Sequence, residues 1–298
     1  MASSSVFSFA LFVSLKSFFK NSPKLATSSD IFIYAYRWSP EVKNLFTDHF
    51  PVQIRDYDLP GLDAPCIRRF TPALFARFEA FELLTHYDSV VCLDSDILVQ
   101  KELIHVLQAN PGTVTLTHDN LPNVGSNFFQ PIPGYDMSAK SYNAGFIVLR
   151  NPLPAQEIRS WLYQMLNKHA SKLELGDQGL INLALQEFHL SLNPLPQLYN
   201  LAASAKRSQL DKAYIIHSTG PRKFWQYYYF DEWYHDYAFY RQKGGSPLTI
   251  RKNTKAWDKF LAVTGLKDKI FFELAPDFFR RPTKFLRFWF KYITRQKY

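Results

Sequence analysis

Short apolar segments rich in β-branched and aromatic residues alternate with segments of helical periodicity along most of the chain. The predicted strands are residues 30–36, 90–93, 113–118, 142–150 and 213–220. The predicted helices are residues 72–84, 101–110 and 155–169, one that ends before Asn21 and one that opens at Asp177. Strands that alternate with helices indicate an α/β sheet with functional side chains at strand ends. At 298 residues the chain is long enough to enclose such a core.

Two aspartates follow the apolar run at the start of VVCLDSDILVQ, residues 90–100. Asp94 and Asp96 are two positions apart, and residues i and i+2 of a strand face the same side, so both carboxylates can converge on one point. Like charges placed so close need a counter-charge, and hard oxygen ligands select Mg²⁺, Mn²⁺ or Ca²⁺. Acids also commonly end a strand where it enters a loop, so the pair alone is a weak sign of a metal site.

A second motif, HSTGPRKFW at residues 217–225, supplies groups that complement the acids. His217 ends a predicted strand, where its imidazole can complete a carboxylate site and shift the preference from Mg²⁺ towards Mn²⁺. Gly220 would let the backbone approach a phosphate, and Lys223 provides a compact positive charge for it. Taken singly, His217 is better explained as a core histidine and Lys223 as a solvated surface lysine.

Four segments occur in an order that resembles one known family of enzymes. They are YDSVVCLDSDILV, YNAGFIVLRNP, GDQGLINLAL and IIHSTGPRKFW, and the resemblance spans about residues 13–225. Together they resemble the retaining glycosyltransferases of family 8, which include glycogenin and bacterial lipopolysaccharide galactosyl- and glucosyltransferases. The resemblance implies a GT-A, Rossmann-like fold with a mixed sheet flanked by helices. It also implies transfer of a hexose from a UDP-sugar to a glycan or lipid-linked acceptor, with retention of the anomeric configuration.

The resemblance implies a metal and diphosphate site. Asp94, Asp96 and His217 would be the protein ligands of Mn²⁺, with Mg²⁺ as a possible alternative and with Asp94 shared between the metal and the ribose. Gly220 and Lys223 would hold the diphosphate of the donor. The ion and the lysine would neutralise the charge that develops on the leaving nucleoside diphosphate.

The resemblance also implies contacts with the donor sugar. Arg77 matches a basic residue that reaches the donor, and Asn143 and Gly145 of YNAG would line the sugar together with Asp177 and Gln178. The nucleophile or charge stabiliser would be Asp177 or Gln178, and same-face attack and a covalent intermediate both stay open. Each residue has a structural explanation too, since Arg77 suits an exposed helix position and Asp177 suits a helix N-cap.

The sequence departs from the family pattern in two places. The family usually opens with a strand and an acidic loop that contacts uracil and ribose, whereas residues 1–7 read MASSSVF, with Ser3 to Ser5 in place of the acids and almost no strand before them. Either the recorded start lies too far downstream, or base recognition is altered or lost. Phe224 stands where the family has proline, which loosens that turn but retains Lys223 and Trp225.

The C-terminal part of the chain is first aromatic and then strongly basic. The tract YYYFDEWYHDYAFYR, residues 227–241, could offer rings to an acceptor sugar, but apolar stripes at helical spacing are more often core. Seven of the nine net positive charges lie in residues 280–298, which contain no acid. Their helical spacing opposite aromatic residues is typical of a helix in an anionic membrane interface, although a helix docked on its own domain is the alternative. We predict a catalytic domain at 1–266 and a membrane-associating tail at 267–298.

Charge and cysteine content bear on partners and location. Outside the tail the chain is almost neutral, which argues against a nucleic-acid partner. Cys66 and Cys92 suggest neither a disulfide framework nor a zinc site, so a reducing compartment fits best. No positive charge precedes the N-terminal apolar run, unlike in a secretory signal peptide. The sequence therefore predicts a cytoplasmic protein that is peripherally associated with the membrane.

Three functional interpretations follow. The first is a metal-dependent glycosyltransferase that works on a glycan or lipid-linked acceptor, with lipopolysaccharide or other surface-glycan synthesis as its setting. The second is a non-catalytic family member that binds nucleotide-sugars or a membrane and has lost its base pocket. The third takes VVCLDSDIL as the nucleophile motif of a haloacid-dehalogenase phosphatase. It leaves YNAG and HSTG unexplained and ranks last.

Overall fold

The computed structural model describes residues 1–59, 70–108, 112–203, 205, 207–219, 223 and 233–247, and the fold is given for this part of the chain. Its strands are β1 (Ala2–Ser4), β2 (Phe32–Tyr36), β3 (Gln53–Asp56), β4 (Ser89–Leu93), β5 (Ile97–Val99), β6 (Val114–His118), β7 (Tyr142–Arg150), β8 (Leu192–Leu195), β9 (Leu201–Ala202) and β10 (Ile215–His217). Its α-helices are α1 (Ser8–Asn21), α2 (Pro23–Thr27), α3 (Pro40–His49), α4 (Glu79–Leu83), α5 (His105–Gln108), α6 (Ala155–His169), α7 (Asp177–Glu187), α8 (Arg207–Leu210) and α9 (Trp233–Gln242).

The strands of the described residues form three hydrogen-bonded sheets. β2 is the centre of a parallel sheet with β1 and β3 at its edges. β4, β7, β6 and β8 follow one another in a mixed sheet, in which β7 runs antiparallel to both neighbours and β8 runs parallel to β6. β10 lies between β5 and β9, antiparallel to the first and parallel to the second. The predicted α/β class with mixed pairing and flanking helices is confirmed.

Two apolar clusters pack the helices onto these sheets. The first joins α1 to β2, β5 and α9 around buried residues such as Phe9. The second packs α6 and α7 against β6 and β7 around residues such as Ile158. β7 serves both clusters, because successive strand side chains point to opposite faces: Phe146 and Val148 enter the first cluster and Ile147 enters the second. The strand that begins YNAG is therefore held from both sides.

The N-terminal apolar segment folds as α1 and is enclosed by the protein itself. Residues 8–15 of this helix are buried, and α1 ends at Asn21, as the sequence predicts to within one residue. Lys16, after the buried stretch, forms an ion pair with Asp236 of α9. Within the described part of the chain, no helix is both long and apolar enough to cross a membrane.

The aromatic tract is described from Trp233 onwards. There, α9 packs Trp233 and Tyr240 against Phe9 of α1, with ring centroids 5.8 and 5.4 Å apart. This part of the tract therefore contributes to the core. Residues 224–232, the predicted boundary at 267 and the basic tail at 280–298 lie outside the described residues.

The segment after Thr71 differs from the predicted α-helix. Pro72–Phe78 form a 3₁₀-helix, and α4 continues from Glu79. In a 3₁₀-helix, side chains three residues apart lie on the same side, so Phe75 and Phe78 both enter the second apolar cluster. The same short helix carries Arg77.

The first strand is present, which corrects the expectation of almost no strand at this position. β1 pairs in parallel with β2, with Ala2 opposite Tyr34 and Ser4 opposite Tyr36. A ladder uses backbone groups, which serine supplies as well as any other non-proline residue, so side-chain composition does not reveal such a short strand. β1 lies beside the last three residues of β2, and the N-terminal amine of Met1 donates to the backbone carbonyl of Phe32, the first residue of β2, at 2.9 Å.

Glu102 ties the first turn of α2 to the segment that leads into α5. Its carboxylate accepts hydrogen bonds from the Ser22 hydroxyl at 2.8 Å and from the backbone N–H groups of Lys24, Leu103 and Ile104 at 2.9, 2.9 and 3.0 Å. Burial opposes the charged form, but these hydrogen bonds outweigh it and lower the pKa of Glu102 to about 2.

We expect Glu102→Gln to lower the free energy of unfolding by about 1 kcal/mol at pH 7, a value that allows for solvent screening of a partly exposed group. Because the pKa is lowered from 4.5, the stabilisation is complete above pH 4.5 and is lost as pH falls towards 2. Urea denaturation at pH 7 and pH 3 measures both effects. The control is Glu157→Gln, at an exposed carboxylate of α6. Equal losses for the two variants at pH 7 would contradict this assignment.

Candidate active site

A cavity of about 890 Å³ opens at the carboxyl ends of β1, β4 and β10. In α/β sheets this edge is where ligands bind. The first residues of β2 and β4, Phe32 and Ser89, also line this cavity. The sequence-predicted site residues in its wall are Arg77, Asp94, Asp96, Asn143, Gly145, Asp177, Gln178, His217 and Lys223. Gly220 lies outside the described residues.

The sequence predicts that Asp94 and Asp96 lie on a strand, but in the structure they lie in the turn between β4 and β5. His217 nevertheless meets both acids, because β10 pairs with β5 so that His217 lies opposite Ile97, the residue after Asp96. Nε2 of His217 is 3.2 Å from Oδ2 of Asp94 and 3.4 Å from Oδ1 of Asp96. One ligand atom from each of the three residues lies within 4.8 Å of the other two. The three predicted metal ligands are thus neighbours in space.

The two carboxylates and the imidazole shift one another's protonation. Burial opposes the charged imidazolium, but hydrogen bonds to Asp94 and Asp96 outweigh it and raise the pKa of His217 to about 9. Burial likewise opposes both carboxylates. Arg77 and His217 nevertheless hold the pKa of Asp94 well below its usual range, and His217 and Lys223 lower the pKa of Asp96. The directions of these shifts show that the two carboxylates and the cationic groups beside them stabilise one another's charged forms.

Arg77 reaches the site from the 3₁₀-helix and forms ion pairs with both Asp94 and Asp177. The side chains of Arg77 and Asp177 are 9% and 3% exposed, and that of Asp94 is 26% exposed. The guanidinium has donors enough for both carboxylates in one plane. Arg77 is therefore a buried member of the site, in contrast to the exposed helix arginine that the alternative interpretation requires.

Lys223 contacts Asp96, the other aspartate of the pair. Its Nζ lies 2.6 Å from Oδ2 of Asp96 and donates to the backbone carbonyl of Ser218 at 3.0 Å. The lysine side chain is 20% exposed, so solvent in the cavity partly screens its charge. Its ammonium group is near enough to influence any anion bound beside Asp96.

Asp177 and Gln178 begin α7 beneath the cavity. Asp177 is the first helical residue; the N-cap position predicted for it belongs to Gly176, whose φ of 64° suits glycine. The amide nitrogen of Gln178 donates to Oδ2 of Asp119 at 2.5 Å and to Oδ1 of Asn127 at 2.9 Å. Its amide oxygen accepts a longer hydrogen bond from the backbone N–H of Ala144, at 3.3 Å. The Gln178 amide is therefore fixed in orientation.

Sequence reasoning missed two polar residues of this site. Asp119 lines the cavity and directly follows β6, the same position that singled out Asp94 after β4, so that signal could have identified it. Asn200 is 9% exposed and contacts both Asn143 and His217 through its side chain. It belongs to no motif, so nothing in the sequence alone could have found it.

We expect Arg77→Met to lower the free energy of unfolding by about 3 kcal/mol at pH 7, because it removes the ion-pair partner of the buried Asp177 and one of the cations beside Asp94. The difference from the wild type should shrink below pH 3.8, the ordinary value from which the pKa of Asp94 is lowered, since protonation removes the charge that Arg77 balances. Urea denaturation at pH 7 and pH 3 provides the measurement. Arg37→Met, at an exposed position, is the control. A loss no greater than that of the control would be inconsistent with the ion pairs.

Comparison with known proteins assigns the chain to a family. A family model described as Glycosyl transferase family 8 matches residues 1–228. This match confirms the resemblance carried by the four sequence motifs and sets aside the phosphatase interpretation. A search of curated proteins gives no match.

Solved structures with a similar fold are glycosyltransferases. The apo structure of the bifunctional glycosyltransferase WbbM has a TM-score of 0.59 at 19% identity over 83% of this chain, which spans only 49% of WbbM. The galactosyltransferase LgtC, in complex with donor and acceptor sugar analogs, has a TM-score of 0.57 at 16% identity over 84% of this chain and 96% of LgtC. The glycosyltransferase GlyE of Streptococcus pneumoniae TIGR4 has a TM-score of 0.52 at 18% identity, over 83% of this chain and 64% of GlyE.

Identities this low show the fold alone, and that fold is the GT-A fold implied by the sequence. The family match, which covers most of the chain, goes further. The chain belongs to glycosyl transferase family 8 and is a glycosyltransferase.

Proposed function

We propose that this protein is a metal-dependent retaining glycosyltransferase that moves a hexose from a UDP-sugar to a glycan or lipid-linked acceptor. The observation that carries the proposal is the convergence of Asp94, Asp96 and His217 on one wall of the cavity. Two carboxylates and one imidazole, with ligand atoms within 4.8 Å of one another, form a suitable donor set for a single divalent ion.

The residues present fit Mn²⁺, with Mg²⁺ as the second possible ion, since carboxylates suit both and an imidazole favours Mn²⁺. Asp94, Asp96 and His217 would hold the ion, the last through Nε2, which faces the two acids. When bound, a divalent cation neutralises charge on a leaving diphosphate, a contribution of several kcal/mol.

Two cationic side chains complement this role. Lys223 and Arg77 both line the cavity, and each already contacts one of the proposed metal ligands. A diphosphate bound beside Asp96 would lie within reach of the Lys223 ammonium, which would attract it as a point charge. Gly220 stays a prediction for the same subsite. Arg77 would hold Asp94 in place and reach the donor from the other side.

Four residues would surround the sugar: Asn143, Gly145, Asp177 and Gln178. Asp177 is ion-paired with Arg77 and would have to leave this partner to attack as a nucleophile, whereas an electrostatic role needs no such movement. The amide nitrogen of Gln178 is committed to Asp119 and Asn127, so its oxygen is the atom that remains for such stabilisation. Both residues would act on an oxocarbenium-like anomeric carbon through electrostatics fixed before substrate binds.

Acceptor and location are proposed from the shared fold and from sequence patterns. LgtC binds donor and acceptor sugar analogs, and we extend a donor and a glycan acceptor to this chain on the basis of the shared fold. Sequence patterns are the basis for four further parts of the proposal. These are a domain division at residue 267, a lipid-linked acceptor in surface-glycan synthesis, attachment of residues 280–298 to an anionic membrane, and a cytoplasmic location.

We expect Mn²⁺-dependent release of UDP from at least one member of a panel of UDP-hexoses, with or without added glycan acceptor. Asp96→Asn should lower kcat/KM by about 100-fold, which corresponds to loss of roughly 3 kcal/mol of charge stabilisation. Asp48→Asn, an exposed aspartate in α3, is the matched control and should act like the wild type.

Two outcomes of this experiment would count against the proposal. UDP release that is unaffected by chelation of divalent ions would show that the reaction does not depend on a metal. Failure of every UDP-sugar to bind in the presence of Mn²⁺ would remove the donor, and would favour the non-catalytic interpretation of a protein with an altered base pocket.

We expect Gly145→Ala to weaken Mn²⁺ binding by more than about 10-fold, in the range caused by disturbing the support of a metal ligand. A Cβ on Gly145 would lie 2.2 Å from Cε1 and 2.4 Å from Nδ1 of His217, so the imidazole would have to move. Isothermal titration with MnCl₂ is the measurement. Gly112→Ala, whose nearest contact would be 3.2 Å, is the control. Wild-type affinity in Gly145→Ala would show that His217 is not a ligand in this position.

A further inference from the structure

We infer that a hydrogen-bond relay through Asn143 and Asn200 fixes the tautomer of His217, so that Nδ1 keeps its hydrogen and Nε2 presents a lone pair to the metal site. The inference rests on the proposed role of His217 as a metal ligand. It assigns Asn200 as a positioning residue and gives Asn143 a role within the framework of the protein, in addition to any contact with the sugar.

The relay begins at a group whose hydrogen-bonding role is fixed. The backbone N–H of Gly145 can only donate, and it donates to Oδ1 of Asn143 at 2.9 Å. This contact establishes which end of the Asn143 amide faces Gly145, because the amide nitrogen could not accept that hydrogen. The same oxygen has a second lone pair for another donor.

Asn200 provides that second donor. Its Nδ2 lies 2.6 Å from Oδ1 of Asn143, so its NH₂ group faces Asn143 and its carbonyl oxygen faces away. That oxygen lies 2.9 Å from Nδ1 of His217. An amide oxygen can only accept, so Nδ1 of His217 must carry a hydrogen. The orientation of two amides and one imidazole thus follows from a single backbone N–H.

The consequence appears on the other side of the ring. With its hydrogen on Nδ1, a neutral imidazole has its lone pair on Nε2, the nitrogen that faces Asp94 and Asp96 at 3.2 and 3.4 Å. The other tautomer would direct the Nε2–H towards the ion. It would also set the lone pair of Nδ1 against a lone pair of the Asn200 carbonyl oxygen. Metal-ligating histidines commonly donate their second N–H to a protein oxygen, which fixes the ring and raises the basicity of the ligand.

The fold holds this relay in place without a ligand. Asn200 directly precedes β9, which pairs with β10 so that Ala202 lies opposite His217. The imidazole packs against Gly145, where a side chain of any kind would collide with the ring. Asn200 and His217 are 9% and 5% exposed, so bulk water competes little for these hydrogen bonds.

The test is the protonation pattern of the His217 ring in the full chain, labelled with ¹⁵N-histidine and loaded with diamagnetic Mg²⁺. Long-range ¹H–¹⁵N correlation spectra distinguish protonated from bare ring nitrogens, and the signal lost in His217→Gln identifies His217. We expect a protonated Nδ1 and a bare Nε2. Asn200→Leu has a similar size but no acceptor, so it should lose the fixed tautomer and bind Mn²⁺ about 10- to 100-fold more weakly by isothermal titration.

Two further variants separate the relay from general loss of stability. Asn200→Asp keeps an oxygen acceptor for Nδ1–H and should retain the wild-type tautomer. Asn21→Leu removes another partly buried amide, one that donates to the carbonyl of Val99 at 2.8 Å. It should leave both the tautomer of His217 and the Mn²⁺ affinity unchanged.

A wild-type His217 signal with the hydrogen on Nε2 and a bare Nδ1 would overturn the relay, whether or not the Asn200 variants fold. An Asn200→Leu protein with the wild-type tautomer and Mn²⁺ affinity would do the same. Failure of the proposed function has a different result, since His217→Gln would then bind Mn²⁺ as tightly as the wild type.

Discussion

Negative charge gathered at one edge of the sheets is the constraint on which this site depends. Asp94, Asp96 and Asp177 lie close together, with side chains 26%, 11% and 3% exposed, so water screens them poorly. Their positive partners are Arg77, Lys223 and His217. An unpaired buried carboxylate costs several kcal/mol, so the acids can be retained here only while these partners are present.

The sharing of partners makes the site a single electrostatic unit. Arg77 contacts Asp94 and Asp177 together, and Asp96 contacts both Lys223 and His217. The groups proposed to hold the donor therefore also balance the groups proposed to hold the ion. Substitutions at such linked positions do not add, so the effect of any one residue on activity will depend on which of its partners remain.

Much of the fold follows from local sequence patterns. β7 and α6 begin and end where the sequence predicts, because β7 is a continuous apolar run and α6 has a strong helical periodicity. β7 is strongly apolar because its side chains enter two cores in turn, and α6 has one apolar stripe facing the second cluster. The 3₁₀-helix before α4 was not predicted, because apolar residues three apart, such as Phe75 and Phe78, share one face in either kind of helix.

The site is predictable in its members but not in its geometry. Each motif places a polar group at the end of an element, which is why Asp94, Asp96 and His217 could be named in advance. Their convergence depends on the pairing of β10 with β5, a contact between distant parts of the chain. Asn200 is 57 residues from Asn143 and 17 from His217, so its role arises only from tertiary structure.

Anomalous diffraction from a crystal soaked in MnCl₂, recorded at the manganese absorption edge, tests the central claim most directly. We predict one peak in the cavity, within coordination distance of the carboxylates of Asp94 and Asp96 and of Nε2 of His217, with Nδ1 still hydrogen-bonded to Asn200. A manganese peak at other residues, or a His217 ring turned away from the two acids in the presence of the ion, would contradict it.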